Sequence, residues 1–253
     1  MKMHLLSGGR VRIRKSIFLP ASDRSETIEI PVSSALLRHS QANVLFDTGC
    51  HPSVAEDPAG RWGGLAKLMV PIMQPGDHVL TGLADLGLKP DDIDVVVNSH
   101  LHPDHCGCNA FFRKATFLVH AEEVAVARAP TSEASGYIAA EWDNGMPTDE
   151  ITGQRDVFGD GRIVLLPLPG HTPGSIGALA QLDRSGTFLL AGDTVSLRET
   201  LDTGIIPRNT WNGDELAKSL AEIRRIEASG VTILCSHDAR QWAGLRKGRD
   251  AYE

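Results

Sequence analysis

The chain has 253 residues, of which 42% are apolar and 23% charged, and its formal net charge is −7. These values match globular averages and exclude a mainly disordered chain, while the acidic balance lacks the basic footprint of a nucleic-acid binder. No segment is long and apolar enough for a membrane span and the N-terminus has no long apolar signal core, so we expect no membrane partner.

Short β-type runs recur along the chain, and many are bounded by Gly, Pro, Asp or Asn, as strands tend to be. In chain order they read RVRIRKSIFL, IEIPVSSALL, NVLFDTG, DVVVNSH, TFLVH, RIVLLPL, SIGALAQL, TFLLAGD and VTILCSH. Basic and apolar residues alternate over residues 10–15. We interpret this small cluster as the solvated face of one strand, because strand side chains alternate between two faces.

Helical patterns lie between some of these runs. The clearest is DELAKSLAEIRRIEASG, where apolar residues recur at helical spacing from Leu216 to Ile226 and Gly230 ends the pattern. HVLTGLADLG and AEEVAVARA are shorter candidates. Early strands in succession, followed by strands alternating with helices, predict two sheets packed face to face with helices outside. We expect one domain over residues 1–253.

Two long stretches resist assignment to strands or helices, residues 51–76 and residues 130–156. Long irregular segments in a compact domain are often binding loops or lids. The alternative is a loop-helix cover over the core, or a dimer contact. Both interpretations stay open at the level of sequence, although long loops often carry function.

The stretch SHLHPDHCGCN crowds metal-ligand side chains behind a strand run. His100 and His102 are two apart, so at a strand end their side chains can point the same way, and Asp104 and His105 follow in the turn. Imidazole nitrogen and carboxylate oxygen suit a divalent ion such as zinc. One ion rarely needs four side chains from so short a turn. The motif therefore predicts two adjacent ions, and the alternative is a set of surface histidines.

Two adjacent ions need more ligands, and other strand ends supply them. His171 in LPLPGHTPGS, Asp193 in FLLAGDT and His237 in ILCSHDA each follow an apolar run, beside a Gly or Ser that lets the backbone turn. Any one alone would more often be a structural histidine or a capping aspartate. Together with the first motif, they form one candidate ligand set.

The motifs HLHPDH, PGHTPGS, AGDT and SHD, in this order over residues 45–237, resemble the metallo-β-lactamase superfamily. The resemblance implies an α+β fold, the four-layer αβ/βα sandwich, in which two packed mixed β-sheets carry helices on their outer faces and a metal site along one edge. Carried over by motif, it assigns one ion to His100, His102 and His171, the second ion to Asp104, His105 and His237, and the bridge between the ions to Asp193. Asp47 in FDTG matches a family aspartate that orients ligands, and the alternative is a plain turn residue.

Within the superfamily, an aspartate at the bridging position resembles the lactonase, thioesterase and phosphoesterase branches and argues against antibiotic hydrolysis. The local phrases IPVSSALLRHSQANVLFDTG and GHTPGSIGAL resemble N-acyl homoserine lactonases and the related pyridoxolactonase. The resemblance implies a metal-dependent hydrolase that opens a lactone through a metal-bridging hydroxide, and it implies a role in quorum quenching. The expected catalytic residues are Asp193, as the bridge, and Asp104, which passes a proton to the leaving alkoxide.

The expected cofactors are two divalent metal ions, zinc first, with manganese, iron or cobalt also compatible with such ligands. The expected partner is a small-molecule ester or lactone, with no nucleic acid, and a homodimer is an expectation from the resembled lactonases. Four cysteines, of which Cys106 and Cys108 are too close for a comfortable disulfide, fit reduced thiols and a cytoplasmic setting. We interpret these two as small packing residues beside the site, rather than extra ligands or redox sensors.

One position departs from the lactonase pattern. Acyl homoserine lactonases usually have a tyrosine three residues after the bridging aspartate, and this chain has Ser196 there. Either another donor serves, with residues 130–156 as the candidate segment, or the substrate differs. The alternatives are a dinuclear thioesterase or an organophosphate or aryl esterase of the same superfamily, and a metal-sequestering or sensory protein without turnover.

Overall fold

The computed structural model describes residues 1–145 and 147–253, so Met146, within one of the two unassigned stretches, lies outside the described residues. The first sheet contains β1 (Lys2–Arg14), β2 (Thr27–Arg38), β3 (Asn43–Phe46), β4 (Met69–Pro71), β5 (Val95–Val97), β6 (Thr116–His120) and β7 (Thr148–Ile151). Their spatial order is β4-β1-β2-β3-β5-β6-β7. β1 pairs antiparallel with β2 and β4, β2 pairs antiparallel with β3, and β3, β5, β6 and β7 run parallel.

The second sheet contains β8 (Arg155–Asp156), β9 (Ile163–Pro167), β10 (Ile176–Leu182), β11 (Gly186–Leu190) and β12 (Thr232–Leu234), in the order β12-β11-β10-β9-β8. Its neighbours pair antiparallel except β11 and β12, which are parallel. Both sheets are therefore mixed. Leu37 and Phe46 of the first sheet and Leu165 and Phe188 of the second belong to one buried apolar cluster, which forms the core between the sheets.

The helices are α1 (Pro58–Trp62), α2 (Val79–Asp85), α3 (Pro103–Cys106), α4 (Ala121–Ala127), α5 (Ala139–Trp142), α6 (Arg198–Thr203), α7 (Gly213–Ala228) and α8 (Ala239–Gly244). α2 and α4 pack on the outer face of the first sheet, and α7 packs on the outer face of the second. The four-layer sandwich predicted from the sequence is confirmed. No helix among the described residues is long and apolar enough to cross a membrane.

The helix predicted with the clearest pattern is α7. Asn212 caps its first turn, since the side-chain oxygen accepts hydrogen bonds from the backbone N–H groups of Asp214 and Glu215 (3.0 and 3.2 Å). Its apolar stripe from Leu216 to Ile226 is buried against β11 and β12. The chain leaves the helix through Gly230, whose φ of +95° favours glycine.

All nine strand runs are present, with one shifted boundary. β1 begins at Lys2 and ends at Arg14, whereas the pattern predicts a strand from residue 10 onward. Its first half escaped prediction because Gly8 and Gly9 interrupt the apolar pattern, and the pairing register with β2 shifts there. The basic cluster is a solvated strand face as predicted: Arg10 and Arg12 are exposed and form ion pairs with Glu29.

The two unassigned stretches contain α1, β4, α5, β7 and β8, and a buried ion pair joins them. Arg61 Nε and Nη2 donate to the two carboxylate oxygens of Glu141 at 2.9 and 2.6 Å, and Trp62 Nε1 donates to Glu141 Oε1 at 3.1 Å. The Glu141 side chain is 0% exposed and that of Arg61 is 24% exposed. Burial raises the pKa of Glu141, and the hydrogen bonds from Arg61 act against this rise.

Replacement of Arg61 by methionine is expected to lower the free energy of unfolding by about 3 kcal/mol, because it leaves a buried carboxylate without its cation. Arg155 pairs with Asp149 through side chains that are both about half exposed, 47% and 44%. Arg155→Met is therefore the matched control, with an expected change below about 0.5 kcal/mol. Urea unfolding measures both variants, and equal losses would contradict the assignment of a stabilising role to the buried pair.

Candidate metal centre

The predicted ligands meet at one edge of the sandwich, where strands from both sheets end. His100, His102, Asp104 and His105 follow β5 and enter α3, whose first residue Pro103 suits a helix start. His171 follows β9, Asp193 follows β11 and His237 follows β12. The structure therefore brings together all seven predicted ligand side chains, although they come from four separate parts of the chain.

Three imidazoles form the first group. His102 Nδ1 lies 3.0 Å from His100 Nε2 and 3.1 Å from His171 Nε2. His102 Nε2 donates its hydrogen to the carbonyl oxygen of Ser135 (3.0 Å), so Nδ1 of the neutral ring carries a lone pair. His100 Nδ1 donates to Ser99 Oγ (3.0 Å), which leaves the lone pair of His100 on Nε2. The nitrogen lone pairs of His100 and His102 therefore point toward the same small region, which His171 Nε2 also borders.

Asp104, His105 and His237 form the second group. Asp104 Oδ2 lies 3.6 Å from His105 Nε2 and 3.5 Å from His237 Nε2. His105 Nδ1 donates to Asp47 Oδ2 and His237 Nδ1 donates to the carbonyl oxygen of Pro31, both at 2.8 Å. These acceptors fix a hydrogen on Nδ1 of both rings and aim each Nε2 at the interior of the site, the arrangement that metal-binding histidines adopt.

Asp193 lies between the two groups and faces both. Its Oδ1 is 3.0 Å from His237 Nε2 and 3.3 Å from His105 Nε2, while its Oδ2 is 3.6 Å from His171 Nε2. Its candidate ligand atom also lies within 4.8 Å of those of His100 and His105, which belong to different groups. One carboxylate with an oxygen toward each group is suited to bridging two cations.

The electrostatics of the two groups differ. Burial, together with the neighbouring His171, lowers the pKa of His102 to about 3, and burial also lowers the pKa values of His100 and His171. Burial acts in the same direction on His105 and His237, but the carboxylates of Asp193 and Asp104 outweigh it and raise both pKa values. The first group is therefore neutral. The carboxylates favour positive charge in the second group, and a divalent cation on the two Nε2 atoms would supply it in place of a proton.

The donor set fits two divalent cations. His105 Nε2 is buried and has no hydrogen-bond partner among the described residues, although two carboxylates lie within 3.6 Å. A buried polar atom without a partner is costly, and lone pairs that face one another repel unless a cation lies between them. Nitrogen and carboxylate ligands from neutral and acidic side chains are those that zinc and similar ions use.

Asp47 lies directly behind the ligands. Its carboxylate accepts hydrogen bonds from the backbone N–H of Ser99 (2.7 Å), from Ser99 Oγ (2.8 Å) and from His105 Nδ1 (2.8 Å). It adopts a φ of +57°, the only positive φ of a non-glycine residue in the described chain. These contacts favour the interpretation of Asp47 as a residue that orients metal ligands over that of a plain turn residue.

Glu123 on α4 was not identified from the sequence, and it ties two ligand loops together. Its Oε1 accepts from the backbone N–H of Leu101 (2.9 Å), between His100 and His102, and from the hydroxyl of Tyr137 (2.9 Å). Its Oε2 accepts from the backbone N–H of Gly174 (3.2 Å), in the loop of His171. Glu123 is 0% exposed. One feature of the sequence could have identified Glu123: it stands beside Val124 on the apolar face of the predicted helix.

Replacement of Glu123 by alanine is expected to lower the free energy of unfolding by about 3 kcal/mol, because three buried donors lose their acceptor. The affinity for metal is expected to fall roughly 10- to 100-fold, since the two ligand loops lose their common anchor. Glu122→Ala, one residue earlier on the same helix and exposed, is the control and should change neither quantity. Urea unfolding and metal titration measure the two effects, and an unaltered metal affinity in Glu123→Ala would refute the positioning role.

A cavity of about 210 Å³ opens beside the candidate ligands. Five of these ligands line it, and its other side is mainly apolar, including Ile13, Phe18, Ile30 and Leu65. Residues from both unassigned stretches reach it, Leu65 from one and Ser135 from the other. This placement favours the binding-loop interpretation of both stretches over a simple cover.

Two hydroxyl groups near the site, those of Ser196 and Tyr137, are engaged elsewhere. Ser196 is buried, does not line the cavity, and directs its Oγ to the backbone oxygen of Asp193 (3.4 Å). Tyr137, in the stretch where the sequence suggested another donor, is 3% exposed and gives its hydroxyl hydrogen to Glu123. Neither side chain is free to take the place of the lactonase tyrosine.

The cysteines beside the site act as packing residues, as expected. Cys106 and Cys108 are fully buried with free thiols, and their Sγ atoms donate to the backbone oxygens of Leu101 (3.5 Å) and Cys50 (3.2 Å). Burial raises the pKa of both thiols, which disfavours the thiolate that a metal ligand requires. None of the candidate metal-binding groups in the described chain includes a cysteine.

Comparisons with known proteins cover nearly the whole chain and agree with one another. The family model for the metallo-beta-lactamase superfamily matches residues 27–237. N-acyl homoserine lactonase AiiB of Agrobacterium fabrum is 30% identical, over 99% of this chain and 98% of that protein. N-acyl homoserine lactonase AttM of Azorhizobium caulinodans is 28% identical, over 100% and 99%. A solved structure of an N-acyl homoserine lactone hydrolase with N-hexanoyl-L-homoserine bound at its catalytic metal centre superimposes with a TM-score of 0.90 at 23% identity, covering 99% of this chain and 98% of that one.

Proposed function

This chain belongs to the metallo-beta-lactamase superfamily, and on that premise we propose that it is a metal-dependent hydrolase that opens lactones. The observation that carries the proposal is the set of inward-facing nitrogen lone pairs and carboxylates at the wall of a mainly apolar cavity. N-acyl homoserine lactones are the proposed substrates, because proteins named for that activity are similar over the full chain. Quorum quenching is the corresponding biological role.

The proposed ligands follow the two groups and the residue between them. One ion would be held by His100, His102 and His171 and the second by Asp104, His105 and His237, with Asp193 as a ligand common to both. Zinc is the proposed metal, because all three side chains of the first group are imidazoles and the rest of the set adds only imidazole and carboxylate. Manganese, iron and cobalt accept the same ligands.

When bound, such a pair of ions supplies an acidified water and Lewis-acid polarisation of a carbonyl. The chain's own residues move the proton and position the substrate. Water adds to the lactone carbonyl carbon, the ring C–O bond breaks, and Asp104 transfers the proton it took from the water to the leaving alkoxide oxygen. The product is a hydroxy acid, whose carboxyl group then releases its proton to solvent.

The apolar side of the cavity positions the substrate and excludes water. Ile13, Phe18 and Ile30 line its inner part, and Leu68, which is 58% exposed, lies at its rim. Burial of an acyl chain against these side chains stabilises the complex by about 25 cal/mol for each Å² of apolar surface removed from water. The acyl end therefore lies toward Leu68 and the lactone ring toward Asp104 and His237.

Three further expectations belong to the same proposal. Residues 1–253 form one domain, the protein is cytoplasmic, and it forms a homodimer. The cytoplasmic assignment rests on four free cysteines, because cysteines in oxidising compartments more often pair as disulfides. Sedimentation of the purified protein tests the dimer.

The test of the proposed function is proton release in weak buffer, with zinc- or cobalt-loaded protein and N-hexanoyl homoserine lactone. An aryl ester, a thioester and a phosphotriester run alongside. Lactone opening that exceeds turnover of the other esters, and that is lost in His171→Ala, is the expected result. Two bound ions with no lactone opening would overturn the lactonase assignment, and turnover of another ester would then identify the alternative hydrolase.

A further inference from the structure

The loop between α6 and α7 is anchored at both ends beside the cavity. The backbone N–H of Arg208 donates to the carbonyl oxygen of Ile17 (2.7 Å), and its guanidinium donates to that of Ser16 (3.1 Å). The backbone N–H of Trp211 donates to the carbonyl oxygen of His171 (3.0 Å). Asn209, between these anchors, is therefore held in place relative to both the apolar wall and a candidate metal ligand.

Asn209 lines the cavity, and its side-chain oxygen has no hydrogen-bond partner in the described part of the chain. Asn209 lines the cavity together with His171, Asp193 and His237. Its Oδ1 is buried and has no hydrogen-bond partner among the described residues. Of the other lining side chains, Ser135 is the only uncharged polar one that is not a candidate ligand. A well-positioned amide whose hydrogen bonds are unmade is costly unless a ligand completes them.

We propose that the Asn209 carboxamide binds the amide group next to the scissile ester and makes the enzyme selective for lactones that carry this amide. The inference rests on the proposed function. A carboxamide accepts through Oδ1 and donates through Nδ2, and rotation about χ2 exchanges the two ends. The ring oxygen and carbonyl of a simple lactone only accept hydrogen bonds. A lactone with an N-acyl substituent also brings an N–H, which supplies the donor that Oδ1 lacks.

This role is distinct from that of the lactonase tyrosine, whose position Ser196 occupies. Ser196 directs its hydroxyl away from the cavity, to the backbone oxygen of Asp193. Asn209 reaches the cavity from a different loop, so it recognises the substituent without replacing the hydroxyl donor. Discrimination by a polar group left unpaired in the wrong complex is a strong source of specificity.

The test compares two matched substrates in two variants. The substrates are N-hexanoyl homoserine lactone and an α-alkyl-γ-butyrolactone of the same length, in which methylene groups replace the amide. Asn209→Leu keeps the branched shape of the side chain and removes its hydrogen bonds. Thr210→Val is the control, because Thr210 Oγ1 is also buried without a partner but Thr210 does not line the cavity.

We expect Asn209→Leu to lower kcat/KM for the N-acyl lactone by about 10-fold or more, while the α-alkyl lactone changes less than about 3-fold. Thr210→Val should preserve the wild-type preference. Calorimetric binding of N-hexanoyl homoserine, the open product, should weaken in parallel with the N-acyl turnover. Metal content, measured on each variant, should equal that of the wild type.

Either of two results would overturn the inference alone: an equal loss on both substrates, or unchanged preference and product affinity in Asn209→Leu. If the metal-loaded wild type opens neither lactone, the proposed function fails and the inference falls with it. The wild-type measurement thus separates the two failures.

Discussion

Asp193→Asn is expected to lower lactone turnover by on the order of 10²-fold or more and to reduce the metal content of the purified protein. The substitution keeps the size of the side chain and removes its charge. In the native protein, Asp193 Oδ1 lies 3.0 Å from His237 Nε2 and Oδ2 lies 3.6 Å from His171 Nε2. An amide has one oxygen, so it serves one group at most and places an N–H₂ donor against the other.

The measurements for this variant are the metal-to-protein ratio and kcat/KM. Asp214→Asn, an exposed carboxylate in the first turn of α7, is the control and should match the wild type in both. Full metal content combined with full activity in Asp193→Asn would disprove the bridging assignment. If Asp193→Asn keeps its metal but loses activity, the carboxylate acts mainly in the reaction rather than in metal binding.

Removal of metal by a chelator is expected to abolish lactone opening and to lower Tm by roughly 5–15 °C. A ligand present at 100 to 1,000 times its Kd stabilises the folded state by about 3–4 kcal/mol, and each kcal/mol shifts Tm by about 2–4 °C in a chain of this size. The physical cause is local. Without cations, lone pairs of His100 and His102 face each other at 3.0 Å, and His105 Nε2 stays buried without a partner.

Calorimetry before and after chelation measures this shift, and added zinc should restore both Tm and activity. Asp193→Asn should show a smaller shift, because it begins with less metal. An unchanged Tm in the wild type, with metal removal verified by elemental analysis, would contradict the metal assignment. Activity that survives verified removal would contradict it as well.

Most strands and the three patterned helices follow from local sequence. Periodic apolar residues and terminal Gly or Asn are enough to predict α7, because the helix buries one stripe and exposes the rest. The start of β1 and the short strands β4, β7 and β8 were not predicted. They have two to four residues or cross a glycine pair, so their pairing depends on neighbouring strands rather than on their own pattern.

The candidate site divides in the same way. The identities of the seven candidate ligands followed from sequence, because each lies within a few residues of the end of an apolar strand run or in the motif that follows one, and the ends of such strands meet at one edge. Glu123 and Asn209 did not. A glutamate on a short helix and an asparagine in a loop are ordinary surface residues until their surroundings are known.

By itself, the sequence determined the fold class, the order of the layers and the chemical identity of the ligand set, because strand patterns and strand-end residues are local properties of the chain. Only the tertiary structure decided that Glu123 joins two ligand loops, that Tyr137 donates its hydroxyl hydrogen to Glu123, and that Asn209 lines the cavity with an Oδ1 unpaired within the described chain. The physical reason is that the partners of a buried polar group are set by contacts between distant segments. Glu123 and Gly174 are 51 residues apart, a separation that no local pattern encodes.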